Sequence, residues 1–222
     1  MTDDLPELHG PRFGPAAGGA PKSLVVLLHG YGANGEDLIG LAPAFAQVLP
    51  ETLFLSPDAP HACAANPFGG LQWFDVWQGE GPERLAAVRR AAATVDRFLD
   101  ERLAEAGLAD GALALVGFSQ GTMLSLQVGL RRRAACAGIL GYSGRLESPD
   151  LLHAEIAQRP PVVLIHGEED PLLPVESMDR AATTLRDNRV AVETHRRPGL
   201  GHGIDIDGIR IGAAFLTMVL AG

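Results

Sequence analysis

Hydrolytic acyl transfer needs a hydroxyl to attack, an imidazole to take its proton and a carboxylate to orient the imidazole. The chain offers the hydroxyl in Gly117-Phe118-Ser119-Gln120-Gly121, which fits G-x-S-x-G. Ala112 to Val116 reads as a strand before it and Thr122 to Leu130 as a helix after it. A serine on such a tight strand-to-helix turn is held strained with its hydroxyl exposed. The flanking glycines remove side chains that would meet neighbouring backbone. The helix start carries partial positive charge, which favours a developing oxyanion. The bland alternative is a loop serine between two glycines, and the two flanking elements argue against it.

In this architecture the acid and then the base follow the serine along the chain. Two histidines come late enough, His195 and His202. His195 continues the alternating run Val190-Ala191-Val192-Glu193-Thr194 and reads as a strand side chain. His202 sits in Gly199-Leu200-Gly201-His202-Gly203, a flexible turn that can present an imidazole, so His202 is the expected base. Val162 to Ile165 runs into His166-Gly167-Glu168-Glu169-Asp170-Pro171. Asp170 is the expected acid because Pro171 fixes the turn after it; Glu168 and Glu169 are its competitors. His29 and His166 each precede a glycine at a strand end and read as hydrogen-bonded supports for their loops. Asp205 and Asp207 resemble a fragment of a calcium loop without the remaining ligands, and are expected to serve the start of the last helix.

Gly30-Tyr31-Gly32-Ala33-Asn34-Gly35 matches G-x-G-x-x-G between a strand and a helix, the pattern of a dinucleotide-binding oxidoreductase. That reading wants an acid at the end of the next strand. Leu53-Phe54-Leu55 ends instead in Ser56-Pro57-Asp58, and His29 is left without a purpose. In a hydrolase the same loop supplies one oxyanion N–H and the residue after the nucleophile supplies the other, which here are the amides of Tyr31 and Gln120. A non-catalytic binding protein on the same fold is a further alternative, and it usually lacks one of the three catalytic positions, all of which are filled here.

The elements that must hold these residues are legible as short apolar runs alternating with helical stripes. Leu24–Leu28, Thr52–Leu55, Ala112–Val116, Gly138–Tyr142, Val162–Ile165 and Val190–Thr194 are the expected strands. Helices are expected over 36–48, 82–106, 120–132, 175–188 and 206–220. In the second, Leu85, Val88, Ala92, Val95, Leu99 and Leu103 form the stripe, with Arg84, Arg89, Arg90, Arg97 and Arg102 among the residues around it. The alternation predicts an α/β fold with a mostly parallel sheet covered by helices on both faces, in one domain over 1–222. Residues 1–22 are either a first strand or a flexible arm. With 222 residues, 46% of them hydrophobic, the chain can bury a sizeable core. A formal charge of −9 disfavours nucleic acid and anionic lipid as partners. No basic-then-apolar leader and no run approaching ~18 apolar residues is present, so a cytoplasmic protein without membrane insertion is expected. Cys63 and Cys136 read as reduced, partly buried thiols, with a disulfide as the alternative.

Taken together these stretches resemble the phospholipase/carboxylesterase family, which includes bacterial carboxylesterases and acyl-protein thioesterases. The resemblance is carried by Leu27 to Gly35 with Asp37-Leu38, by Trp73-Phe74-Asp75, by Gly117 to Gly121, by Tyr142-Ser143-Gly144, by His166-Gly167 with Asp170-Pro171, and by Gly201-His202. It implies an α/β-hydrolase fold without a large lid domain, and hydrolysis of small-molecule carboxylic esters or thioesters with an apolar acyl chain. No cofactor or metal is implied. By position it places the oxyanion amides on Tyr31 and Gln120. Gly32-Ala33-Asn34-Gly35 stands where the acyl-protein thioesterases carry a G-D-T-G-like run, which leans toward a small-ester carboxylesterase. The long connection from Pro60 to Gln78 is rich in large apolar residues, including Phe74 and Trp77. Phe68, Leu71 and Trp73, with Leu172 and Leu173 after the acid, are the expected acyl-pocket lining. Both tryptophans as plain core residues are the alternative. A homodimer is compatible with this reading.

Overall fold

A computed structural model describes residues 5–220 except 67, 77, 78 and 80, so Trp77 lies outside the described residues. The apolar runs form β2 (Ser23–Leu28), β3 (Thr52–Leu55), β6 (Leu113–Phe118), β7 (Gly138–Tyr142), β8 (Val162–Gly167) and β9 (Val192–Arg197). These six lie parallel in the order β3-β2-β6-β7-β8-β9. Within residues 1–22, the two-residue strand β1 (Arg12–Phe13) pairs antiparallel with β3 at the sheet edge. Six-residue β2 shows why the runs are unbroken. Leu24, Val26 and Leu28 pack into one apolar layer and Val25 and Leu27 into the other, all fully buried. Each such side chain contributes roughly 1.5–3 kcal/mol of burial free energy.

Helices cover both faces. The layer on one face is built with α3 (Pro82–Ala106), α4 (Gln120–Gly129) and α6 (Glu176–Asp187), the other with α1 (Gly35–Ile39), α2 (Ala42–Ala46) and α7 (Ile206–Leu220). The spacing predicts one helix over 36–48, and two short ones stand there. Pro43 has no N–H to give the carbonyl of Ile39 and its ring crowds that carbonyl, so α1 ends and α2 starts afresh. Helix α3 stops at Gly107, whose φ of +66° lets Leu108 N–H turn back to Leu103 O at 2.9 Å. Two elements lie outside the expected ones: α5 (Pro149–Glu155), which starts at Ser148-Pro149-Asp150, and the hairpin of β4 (His61–Ala62) with β5 (Leu71–Gln72) inside the long connection.

Arg84, expected among the charged residues around the α3 stripe, is buried instead. Its Nε and Nη2 each lie 2.9 Å from an oxygen of Glu147, and its Nη1 donates to Val76 O at 3.1 Å. The guanidinium covers the Phe74 ring at 5.3 Å. Burial works to raise the Glu147 carboxyl, but Arg84 and Arg145 outweigh it and hold the group below its ordinary value. This pair ties the segment after Trp73-Phe74 to the loop after β7. Glu147→Ala strands the buried guanidinium and should cost about 3–5 kcal/mol in urea unfolding, whereas Arg84→Met with Glu147→Leu should cost far less.

Candidate active site

Ser119 is the hinge between β6 and α4. Its φ of +52° and ψ of −114° lie outside the wells favoured by side-chain-bearing residues, so the backbone there is strained. The surroundings enforce it. Ser119 N–H donates to Tyr142 O at 2.8 Å, and Thr122 Oγ1 lies 2.8 Å from the carbonyls of both Gly117 and Tyr142. A Cβ on Gly121 would come within 1.7 Å of Leu28 O, and one on Gly117 within 2.4 Å of the Gly121 carbonyl carbon. Both glycines are therefore required by close approach of backbone to backbone, across to β2 in one case and down onto α4 in the other.

Asp170 and His202 meet, although 32 residues separate them. The Asp170 side chain is inaccessible to solvent, and its Oδ2 lies 2.7 Å from His202 Nδ1. Oδ1 accepts the amides of Leu172 at 2.8 Å and Leu173 at 2.9 Å. Burial works to raise this carboxyl. Leu173 N–H, the His202 imidazole and Leu172 N–H together outweigh it and hold it below its ordinary value. A carboxylate only accepts, so Nδ1 carries the His202 proton and Nε2 is the basic nitrogen. The His202 ring sits 5.0 Å from that of Phe118, the neighbour of Ser119. Glu168 and Glu169 are exposed; they join the two loops only through their amides, to Arg197 O and Leu200 O, each at 3.0 Å. A Cβ on Gly167 would strike Leu200 O at 2.2 Å, so the loop of Asp170 and the loop of His202 are in backbone contact. His195 lies in β9, its Nε2 2.9 Å from Glu193 Oε1. His166, buried, brings its Nε2 to 2.8 Å from Leu173 O and 3.1 Å from Asp170 Oδ2, which makes it a support for the Asp170 carboxylate.

The loop after β2 is fixed from beneath and from above. Buried His29 donates Nδ1–H to Gly30 O at 2.8 Å and accepts Ala59 N–H on Nε2 at 3.0 Å. Its burial lowers its pKa, so the ring stays neutral in that role. Above, Gly32 N–H donates to Leu71 O, Leu71 N–H to Ala33 O and Asn66 Nδ2 to Gly32 O, each at 2.8 Å. A Cβ on Gly30 would lie 3.4 Å from that of Ser119, which places the Tyr31 segment beside the elbow. Gln120 opens α4, so its amide has no acceptor within the helix. Its buried side chain accepts from Trp73 N–H at 2.9 Å and donates to Phe74 O at 2.7 Å, while Trp73 Nε1–H donates to His29 O at 3.0 Å. One network thus spans both sides of the expected oxyanion position. Asp58, the acid nearest to what a dinucleotide site requires, accepts Gly35 N–H at 2.8 Å.

The expected acyl lining is corrected at Trp73. It is 1% exposed and packed in the core, because its ring covers His29 and its N–H is spent on His29 O. Phe68 and Leu172 are exposed rather than walls of an enclosed pocket, at 96% and 70%. Leu71 and Leu173 are partly buried, the first against the loop after β2 and the second beside Asp170. A cavity of about 630 Å³ opens between the start of α3, the loop after β7 and α6, and none of these residues lines it. Cys63 and Cys136 are buried free thiols. Asp205 accepts the Gly208 amide at the start of α7, and with Asp207 it pairs with Arg197. Among the described residues no group of three potential metal ligands converges, and no helix is long and apolar enough to cross a membrane.

Comparison with known proteins identifies the family. The family described as Phospholipase/Carboxylesterase matches residues 16–220. The crystal structure of esterase PE8 is 43% identical and superposes with a TM-score of 0.90, covering 96% of this chain and 100% of that one. Acyl-protein thioesterase 1 of Gibberella zeae is 28% identical over 194 residues, 80% of this chain and 82% of that protein. Esterase YpfH of Escherichia coli K12 is 28% identical over 184 residues, 83% of this chain and 77% of that protein. With the family match running through the elbow and both late loops, the chain belongs to the phospholipase/carboxylesterase family and is a carboxylic-ester hydrolase of α/β-hydrolase fold.

Proposed function

We propose that the chain hydrolyses small-molecule carboxylic esters with short to medium apolar acyl chains through an acyl-enzyme on Ser119. The observation that carries this reading is the 2.7 Å bond from His202 Nδ1 to buried Asp170, which leaves Nε2 as the base beside a strained serine elbow. Ser119 Oγ attacks the ester carbonyl as His202 Nε2 takes its proton, and the carbonyl oxygen becomes an oxyanion held by the Tyr31 and Gln120 amides. The C–O bond breaks, the alcohol leaves with the proton from His202, and water attacks the acyl-enzyme by the same route to release the acid. Leu71 and Leu173 supply apolar contact for the acyl chain, and exposed Phe68 and Leu172 form its outer rim. Thioesters pass through the same oxyanion, and the names of the thioesterase relatives make them the second substrate class to assay.

The test is hydrolysis of p-nitrophenyl esters from acetate to palmitate. An optimum at butyrate to octanoate is expected, since the apolar groups flanking the site form a rim rather than a deep tunnel. Best turnover of palmitate would overturn the chain-length reading, and folded protein that hydrolyses no ester of the series would overturn the proposal as a whole.

A further inference from the structure

The loop that carries His202 is poorly suited to hold anything still. Between Arg197 and Asp205 run Pro198-Gly199-Leu200-Gly201-His202-Gly203-Ile204. Glycine loses more conformational freedom on ordering than any other residue, and this loop has three, one of them at φ +72°. A general base must nevertheless keep its geometry closely, because a shift of about 1 Å can cost up to about 10²-fold in rate.

Arg197 stands where the loop leaves β9. Its carbonyl accepts Glu168 N–H at 3.0 Å from the acid loop and Leu200 N–H at 3.3 Å from the base loop. Its guanidinium reaches across the loop's open end. Nε lies 2.9 and 3.2 Å from the two oxygens of Asp205, and Nη2 lies 2.7 Å from Asp207. Asp205 is itself anchored, because its Oδ1 accepts the Gly208 amide at 2.7 Å and so caps α7. The arginine therefore joins three bodies: the acid loop through its carbonyl, the sheet through β9, and α7 through Asp205. Among the described residues, the loop's interior is otherwise held by the Asp170 bond, by Glu169 N–H to Leu200 O at 3.0 Å, and by one further side-chain bond, Ser143 Oγ to Gly203 O at 3.4 Å, at the limit of useful length.

We propose that Arg197 is a positioning residue for the general base: by clasping Asp205 it closes the glycine-rich loop 198–204 and holds the His202 imidazole on Asp170. The inference rests on the triad reading above and adds to it the part that keeps the base in place. The guanidinium touches neither substrate nor reacting atoms, and acts only through the loop.

The test is the steady-state kinetics of p-nitrophenyl butyrate hydrolysis by Arg197→Ala and Asp205→Asn, singly, together and in a His202→Ala background. Asp205→Asn keeps an acceptor for the Gly208 amide, so it breaks the clasp while sparing the helix cap, and it carries the test alone if Arg197→Ala does not fold. Each single variant should lower kcat by roughly ten- to a hundredfold with KM within about twofold. The double variant should fall no further than the worse single one. Arg197→Lys should recover only part of the loss, since a point charge cannot make the forked contact. The effect of Arg197→Ala should vanish once His202 is gone. A folded Asp205→Asn with kcat within about twofold of wild type overturns the clasp. So does a loss from Arg197→Ala that persists at the same factor in the His202→Ala background, because it would not act through the base. Undiminished activity of His202→Ala alone would overturn the triad reading instead, and so separates the two failures.

Discussion

Replacing Ser119 with alanine should lower kcat for p-nitrophenyl butyrate by roughly 10⁶-fold, the scale on which loss of a serine nucleophile abolishes acyl-enzyme chemistry. The remainder is what the oxyanion donors and substrate binding achieve with water as the attacking group. The substitution removes only Oγ. Alanine keeps the Cβ that the φ of +52° already tolerates, and the bonds that impose that angle come from the Ser119 amide and Thr122, not from the hydroxyl. The melting temperature should therefore stay close to wild type, so that lost rate cannot be ascribed to lost fold. Fluorophosphonate labelling, read by intact mass, should fall to zero in the same variant. Labelling that persists with a substantial rate would place the nucleophile elsewhere.

Asp170→Asn should lower kcat by roughly 10⁴-fold through the tautomer of the base. The neighbours of this carboxylate decide the orientation of the amide. Two N–H groups, from Leu172 and Leu173, face Oδ1, so the asparagine oxygen must take that side. Its NH₂ is then turned toward His202 Nδ1, with His166 Nε2 close by. A donor facing Nδ1 drives the imidazole proton to Nε2, the nitrogen that has to be basic. Glu168→Gln and Glu169→Gln serve as controls and should leave the rate near wild type, because both side chains are exposed and only their amides are engaged. A rate for Asp170→Asn within about tenfold of wild type, with either control inactive, would move the acid to the neighbouring turn position.

Much of the scaffold is legible in the sequence. The strand–turn–helix around Ser119, the parallel sheet and the long helix α3 all follow from short-range patterns, since glycine spacing and apolar periodicity are local properties of a chain. The turn of Asp170 and the loop of His202 were also placed by their glycines and proline, and the structure brings the two side chains into contact. What escaped was decided by distant partners. Trp73 in an aromatic-rich connection reads the same whether it lines a pocket or plugs the core; His29, 44 residues away, decides it. Arg84 has the residue type of a surface helix position, and its burial depends on Glu147, 63 residues on. Arg197 and Asp205 flank one short loop, but sequence spacing alone assigns Asp205 to the start of its helix and carries no sign of the guanidinium across from it. The break between α1 and α2 is marked by Pro43, against an apolar pattern that runs on through it.

The two margins of the sheet bear on how copies of the chain can meet. At one margin β1 offers a strand of two residues, too short to template a neighbour. At the other, β9 carries Glu193, His195, Arg196 and Arg197 in a run of six, a charged border on which an incoming strand would have to bury ions. Neither margin favours extension by backbone pairing, so fibre-like growth through a continuous sheet is disfavoured. The loop bearing His202 hangs from the guarded margin, so the charges that discourage aggregation also stand beside the proposed base.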